Sequence, residues 1–252
     1  MEKILVFPIG NTQAVRCCEV FLHNGRIPLV DHPTPDATHL LLDIPSFHAD
    51  GSLRCGGNIE HYLRMLPENI TVIGGNLEHP ALEGYRKMDL LRDPVYLAEN
   101  AAITAYCALQ VAAEKLPVTF SGLDTLIIGW GRIGKCLGML LRSLGAKVTV
   151  AARKESDRAM IRALGYGAAE PANLDPLLQR CRLVFNTAPQ TVLTRQQLEK
   201  CRECLKIDLA SVKGIEGEDV IWARGLPGVC APESSGKLIG ETILRLHREG
   251  SV

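Results

Sequence analysis

The feature that most constrains this chain is a strand that runs directly into a glycine turn and then a helix. Thr125-Leu126-Ile127-Ile128 is a continuous apolar run, and Gly129-Trp130-Gly131-Arg132-Ile133-Gly134 follows at once. Ile133, Cys136, Leu137, Leu140, Leu141 and Leu144 then recur at helical spacing, Gly145 stops the helix, and Lys147 to Ala152 reads as a second strand. A lone GxGxxG says little. Between a strand and a helix, in a unit of about 30 residues, it reads as a dinucleotide turn. Each glycine has a separate task. Gly129 allows the tight turn, Gly131 admits a pyrophosphate to the backbone, and Gly134 lets helix and strand pack closely. Trp130, Arg132 and Ile133 complete the segment. The helix N-terminus offers unpaired N–H groups to the phosphates. The bland reading is a glycine cluster that binds nothing.

The end of the second strand bears on which dinucleotide. An NAD site keeps an acidic residue there, about twenty residues on from the glycines. This chain has Arg153 and Lys154. A guanidinium pairs with a 2′-phosphate that a carboxylate would repel, so the residues favour NADP over NAD. The alternative is that Arg153 stacks on adenine or faces solvent while Glu155 holds the ribose. Ser156 suits either a phosphate contact or an N-cap.

Around this unit, strands alternate with helices, which predicts an α/β chain with open parallel sheets. Before it, strands are expected at Ile4 to Phe7, His39 to Ile44 and Thr71 to Ile73, with an extended piece at Ile27 to Val30 and helices at Asn11 to Asn24 and Ile59 to Leu66. An Ala-rich helix from Ala98 to Lys115 joins two regions. After the unit come a helix from Ser156, a strand at Leu183 to Thr187, a capping box at Thr194 to Gln197, and strands at Leu205 to Ala210 and Val220 to Ala223. An amphipathic helix after Ser234 and Ser235 presents Leu238, Ile239, Thr242, Ile243 and Leu246. The domain reading is residues 1–97 as an N-terminal substrate domain, 98–117 as an interdomain helix, 118–232 as the Rossmann dinucleotide domain, and 233–252 as a C-terminal helix.

Composition narrows the function. Twenty-eight Lys and Arg balance twenty-eight Asp and Glu, which argues against a basic nucleic-acid surface. No apolar run reaches the ~20 residues of a membrane helix. Met1 to Phe7 is too short and too acidic for a signal peptide, so the expected setting is cytoplasmic. The nine cysteines form no framework and are expected as small buried hydrophobes. Cys201-Arg202-Glu203-Cys204 has CxxC spacing, but no second pair completes a zinc set, and no metal is expected.

Ligands in open α/β sheets lie beyond the carboxyl ends of the strands. Three later segments fall there: Asn186-Thr187-Ala188-Pro189, Asp208-Leu209-Ala210-Ser211 and Gly225-Leu226-Pro227-Gly228. Asn186, Thr187, Asp208 and Ser211 are candidates to frame a nicotinamide, and Leu226, Pro227 and Gly228 to line a substrate cleft. Asn186 and Thr187 also suit a turn, and Asp208 a cap. Histidine, the usual proton relay of a 2-hydroxyacid dehydrogenase, is absent between Glu99 and Arg245. His48 and His79 read as surface loop residues. Glu99, near the start of the Ala-rich helix, and Asn76, after a strand end, are the candidate catalytic residues. Glu99 equally suits a helix-dipole role. Ser46 has a place like that of Asn76. Lys213 and Lys237 are the cations nearest the loops.

These motifs together resemble the dipicolinate synthase A-subunit family, over Glu99 to Leu246. The resemblance rests on Ile128 to Gly134, on Leu144-Gly145-Ala146-Lys147-Val148 leading to Ala152-Arg153, and on the two loops beginning at Asn186 and Asp208. Its most specific part is Gly225-Leu226-Pro227-Gly228-Val229-Cys230-Ala231-Pro232. The first hundred residues match in outline. The resemblance implies a Rossmann doubly wound sheet plus a smaller flavodoxin-like α/β N-terminal domain, with the last helix packed back on that domain. It implies NADP-linked conversion of dihydrodipicolinate, a small dicarboxylate, to the dipicolinate of bacterial spores. It also implies a partner, a flavoprotein-like B subunit. Homo-oligomerisation stays open. Two other readings also stay open: a stand-alone D-2-hydroxyacid dehydrogenase, which the histidine distribution disfavours, and a non-catalytic NADP-binding regulatory protein.

Overall fold

The computed structural model describes residues 4–201 and 203–250. Met1 to Lys3, which precede the first expected strand, and Arg202, inside the CxxC segment, lie outside the described residues. The chain divides into two compact units, residues 1–100 with 227–252, and residues 101–226.

The first unit opens with β1 (Val6–Pro8), α1 (Gln13–Asn24), β2 (His39–Leu41), α2 (Ile59–Arg64), β3 (Thr71–Gly74) and β4 (Arg86–Asp89). The strands pair in parallel in the order β1-β2-β3-β4. Leu29 adds a parallel bridge to the free side of β1 at Val6. Counting that extended piece as a strand, the order is the 2-1-3-4-5 of a doubly wound sheet. Buried Phe7, Leu40, Leu42, Ile70, Val72 and Leu77 form the core. These strands read as unbroken apolar runs because helices cover both faces of a parallel sheet. β4 is not expected from the sequence, since Arg86-Lys87-Met88-Asp89 is an edge segment in which Arg86 and Lys87 are exposed and only Met88 is buried.

The helix α3 (Pro94–Lys115) begins four residues earlier than the sequence suggests. Asp93 caps it, its Oδ1 accepting from the Tyr96 amide at 2.6 Å and pairing with Arg245 at 2.5 Å. Proline at the first helical position has no N–H to lose.

The second unit contains β5 (Asp124–Ile128), α4 (Arg132–Ser143), β6 (Lys147–Ala151), α5 (Glu155–Ala163), β7 (Gly167–Ala169), α6 (Asp175–Leu178), β8 (Leu183–Asn186), α7 (Arg195–Lys200), β9 (Leu205–Asp208) and β10 (Val220–Trp222). All strand pairs are parallel, in the order β10-β9-β8-β5-β6-β7. Renumbered from β5, this is the 3-2-1-4-5-6 order of a Rossmann sheet. The α/β class and the doubly wound Rossmann sheet are as expected.

Gly225-Leu226-Pro227-Gly228, expected as an open loop, instead enters a short helix, α8 (Leu226–Cys230). The first unit's C-terminal part starts at Pro227 rather than at 233, and its last helix is α9 (Pro232–Glu249). This helix packs on α1 with backbones in near contact. A Cβ at Gly236 would sit 2.5 Å from Cys17 Cβ, and one at Gly240 would sit 2.3 Å from the Phe21 ring. Among the described residues, no helix is long and apolar enough to cross a membrane.

Two polar details fall inside these cores. Cys181, Cys201 and Cys204 are buried together with aliphatic side chains, and the Cys181 and Cys204 sulfurs lie 3.7 Å apart as free thiols. His39, at the start of β2, is 4% exposed. Its Nδ1 meets the Thr38 hydroxyl at 2.7 Å, and its ring meets the His247 ring edge-on. Burial, and then His247, hold the His39 pKa down at about 4, against 6.5 for a free imidazole.

A lowered histidine pKa means that the unfolded chain binds the proton more readily. Stability is therefore full above pH 6.5 and declines as pH falls towards 4. A displacement of that size corresponds to about 3 kcal/mol. Urea unfolding at about pH 7.5 and about pH 4.5, on either side of the free imidazole value, should show that loss in the native chain, and His39→Gln should remove most of this difference. An equal loss in the variant would assign the effect to other groups.

Candidate functional site

The carboxyl end of the second sheet is organised by backbone contact. Gly129 follows β5 with φ +106°, a conformation that favours glycine. A Cβ there would lie 2.4 Å from the Thr187 hydroxyl oxygen, and one at Gly134 would lie 2.3 Å from the Gly129 carbonyl oxygen. These two glycines are thus required by the protein itself. Gly131 is different. A Cβ there would meet nothing within 4 Å, and its backbone, at φ −77°, suits any residue. The open face in front of Gly131 is a cradle that a dinucleotide phosphate fits. The amides of Arg132, Ile133 and Gly134 open α4, where N–H groups have no intrahelical acceptor.

Side chains of the segment divide by role. Arg132 is exposed and Ile133 half-buried. The Trp130 ring packs edge-on against Tyr166, with centroids 5.8 Å apart. Trp130 therefore anchors the turn onto the unit's own surface.

After β6 the chain turns sharply, and Arg158 on α5 fixes the turn. Its Nη1 donates to the Ala152 carbonyl at 2.8 Å and to the Arg153 carbonyl at 2.7 Å. Glu155 is engaged by Arg158 at 2.6 Å and by Arg162 at 2.7 Å. Bonds from Arg162 and then Arg158 hold its carboxyl below the usual carboxylate range. The alternative in which Glu155 takes the ribose loses ground, because that carboxylate is already committed. Arg153 and Lys154 are exposed, as is Ser156. Arg153 reaches the Gln190 side-chain oxygen at 3.3 Å.

Asn186 and Asp208 are both fully buried. Asn186 donates to Asp208 Oδ1 at 2.9 Å and to the Ala188 carbonyl at 3.1 Å, while its own oxygen accepts from the Ala188 amide. Asp208 Oδ1 also accepts from the Ala210 amide at 3.0 Å. Its Oδ2 accepts from the amides of Gly214 and Ile215 at 2.7 and 2.9 Å. Of the two sequence readings, these bonds match the turn for Asn186 and the cap for Asp208. Their polar groups are used in shaping the loops after β8 and β9. Thr187 ties its hydroxyl to the Ile128 carbonyl at 3.1 Å, beside Gly129. Ser211 is exposed at the loop tip. The Lys213 ammonium reaches the Gly217 carbonyl at 3.4 Å. Sequence reasoning missed Arg158, whose role depends on where two carbonyls fall.

The remaining candidates, apart from Leu226, belong to the first unit. Glu99 is exposed in the second turn of α3, beyond the first turn where a helix dipole acts most. Asn76 is exposed with φ 57°, a left-handed position that asparagine tolerates, and its amide donates to Asp89. Ser46 is buried between the Asp43 carbonyl and the Gly75 amide. His79 caps a 3-10 turn through the Ala81 amide and stacks on Phe47. Lys237 pairs with Glu241 along α9. Leu226 and Pro227 are buried and Gly228 is half-buried. Among the described residues, no cluster of three His, Cys, Asp or Glu is arranged to hold a metal.

Comparison with known proteins agrees with this geometry. Residues 90–202 match the D-isomer specific 2-hydroxyacid dehydrogenase, NAD binding domain. Over 205 residues the chain is 26% identical to the A subunit of dipicolinate synthase from Bacillus subtilis, covering 75% of this chain and 69% of that one. The resemblance read from the sequence holds. The crystal structure of the A subunit of dipicolinate synthase from Bacillus halodurans superposes with a TM-score of 0.83 at 21% identity, over 97% of each chain. A transhydrogenase from Sinorhizobium meliloti shares the fold at a TM-score of 0.68 and 14% identity, over 98% of this chain and 94% of that one. The matched domain makes a nicotinamide dinucleotide the cofactor class and a dehydrogenase-type oxidoreductase the enzyme class.

The glycines make a graded prediction. Gly131→Ala should leave the melting temperature within error of the native chain yet weaken dinucleotide affinity at least tenfold, read by cofactor fluorescence titration. Gly129→Ala and Gly134→Ala should each lose about 1–3 kcal/mol of stability, the usual cost of overpacking. Asp208→Ala strands several buried donors and should cost about 3 kcal/mol or more in urea unfolding. A Gly131 variant that bound normally would remove the cradle assignment.

Proposed function

We propose that the chain is the A subunit of a dipicolinate synthase, an NADP-linked oxidoreductase that converts dihydrodipicolinate to dipicolinate. The observation that carries the cofactor half of this reading is the pair Arg153 and Glu155. The strand end that would hold an NAD ribose carries an exposed guanidinium bonded to the neutral Gln190 side chain, while the nearby carboxylate is closed off by two arginines. A 2′-phosphate has a partner there and meets no uncommitted carboxylate. The bound dinucleotide supplies a two-electron hydride acceptor.

The residues of the chain provide binding and order. The amides opening α4 and the bare backbone at Gly131 hold the pyrophosphate. Arg153, with Lys154 beside it, holds the 2′-phosphate. Asn186 and Asp208 fix the loops after β8 and β9, which with Thr187 and Ser211 frame the nicotinamide. Residues 1–97 form the substrate domain. Their strand order supports reading it as flavodoxin-like. Asn76, Glu99, Leu226, Pro227 and Gly228 remain the substrate-side candidates. A missing histidine relay suits a reaction that aromatises a ring, since no alcohol proton has to be removed. The similarity to dipicolinate synthase supports a flavoprotein-like B subunit in the partner role and a cytoplasmic setting in a spore-forming cell.

The test is dipicolinate formation followed by absorbance, with NADP or NAD, with and without a candidate B subunit. Turnover should favour NADP. Arg153→Asp should weaken NADP at least tenfold, about 1.4 kcal/mol, and leave NAD within twofold. Unchanged NADP affinity would sink the cofactor assignment. Robust NADH oxidation with 2-keto acids would favour a stand-alone D-2-hydroxyacid dehydrogenase instead.

A further inference from the structure

Two loops flank the end of β5 in the second unit. The sheet order β8-β5-β6 puts the loop after β6 on one side of the glycine turn and the loop after β8 on the other. One side-chain bond joins them. Arg153 Nη1 donates to Gln190 Oε1 at 3.3 Å, across 37 positions of sequence. A guanidinium has donors only, so it is the oxygen end of the Gln190 amide that faces it.

Both side chains are exposed, yet the main chain under each is held. Arg158 donates to the carbonyls of Ala152 and Arg153. On the other side, the Gln190 amide donates to the Ala188 carbonyl at 2.9 Å, an oxygen that also accepts from buried Asn186. Gly214 is pressed against the same residue. A Cβ at Gly214 would lie 2.4 Å from the Gln190 carbonyl oxygen, and the Gly214 amide donates to Asp208 Oδ2 at 2.7 Å. Asn186 and Asp208 thus set the backbone of Gln190, and the side chain of Gln190 meets Arg153. A long exposed side chain otherwise samples many rotamers, and whatever binds it must bear the cost of ordering it.

The residue type matters as much as its place. A carboxylate at position 190 would pair with the guanidinium and offset its charge. An apolar side chain would leave the charge but give up the hold. An amide accepts the hydrogen bond and leaves the positive charge intact. We propose that Gln190 is a specificity-determining positioning residue, which holds the Arg153 guanidinium at the end of β6 for the 2′-phosphate of NADP. This rests on the cofactor assignment made above. Gln190 acts through Arg153, so its effect is confined to ligands that carry that phosphate and depends on the arginine being present.

The test is calorimetry on the full chain with adenosine 2′,5′-bisphosphate and adenosine 5′-monophosphate, which differ in the 2′-phosphate alone. The ratio of the two affinities is read, and circular dichroism checks the fold of each variant. The native chain should bind the bisphosphate at least about tenfold tighter. Gln190→Met keeps the length and loses the acceptor, and should lower the ratio about fivefold, the worth of one hydrogen bond. Gln190→Glu should bring the two affinities to within about twofold, because its carboxylate pairs with Arg153 and repels the phosphate. In an Arg153→Met chain, adding Gln190→Met should change the remaining ratio by less than about twofold. The proposal is overturned if either Gln190 variant keeps the native ratio, or if Gln190→Met lowers the ratio equally with and without Arg153. A native chain that binds both nucleotides alike overturns the NADP assignment and this inference with it. A native preference that Arg153→Met removes and the Gln190 variants keep overturns this inference alone. Should one Gln190 variant fail to fold, the other decides.

Discussion

The second unit depends on one close approach, that of the Gly134 backbone to the carbonyl of Gly129. With a Cβ at 134 placed 2.3 Å from that oxygen, no other residue lets α4 start where it does. The start of α4 sets where its free amides sit, and so where a phosphate can be held. The same turn seats Thr187 against Gly129 and Ile128, which couples the end of β5 to the end of β8. Packing and the proposed phosphate site thus use one piece of backbone. The division between them is visible in the glycines: 129 and 134 are filled by the protein, and 131 is left open.

Beyond that turn, the loops at the sheet's carboxyl end are held by buried or half-buried polar side chains whose partners are main-chain atoms. Asp208 gathers three amides and one side-chain amide, and Arg158 gathers two carbonyls. Loops are otherwise the least rigid part of an α/β fold. Here each is fixed by a charge-assisted bond, which is stronger than a neutral one. The groups left at the surface, Arg153, Lys154 and Ser211, are those with spare hydrogen-bonding capacity for a ligand.

Much of this is legible in the sequence because the signals are local. The glycine turn, the apolar strands of the parallel sheets and the Thr194 capping box each lie within a few residues, and each appears as read. What escapes such a reading depends on distance or on edges. β4 and β7 (Gly-Ala-Ala) are short edge strands without the apolar run of a central strand. The helix expected from Ala98 starts instead at Pro94, because the Asp93 carboxylate caps it and Pro94 becomes the first helical residue. Asp43 carries no motif, since its partner Thr12 lies 31 residues away. Asn186 and Asp208 stand at the expected loops but perform a different task. Position at a strand end is written in sequence, and the direction of a hydrogen bond is not.

The same distinction explains why net charge is a poor guide in this chain. Equal numbers of acidic and basic residues describe a surface with no overall pull on anions. Local pairing breaks that balance where it matters. In the turn after β6, Glu155 is cancelled by Arg158 and Arg162, and what remains uncompensated is Arg153 with Lys154. At the carboxyl end of β2 the imbalance has the opposite sign, a buried carboxylate with one oxygen bare. A neutral chain can therefore carry a local excess of positive charge at one strand end and of negative charge at another. Each imbalance is set within a single unit, by which neighbours its charged group has already used.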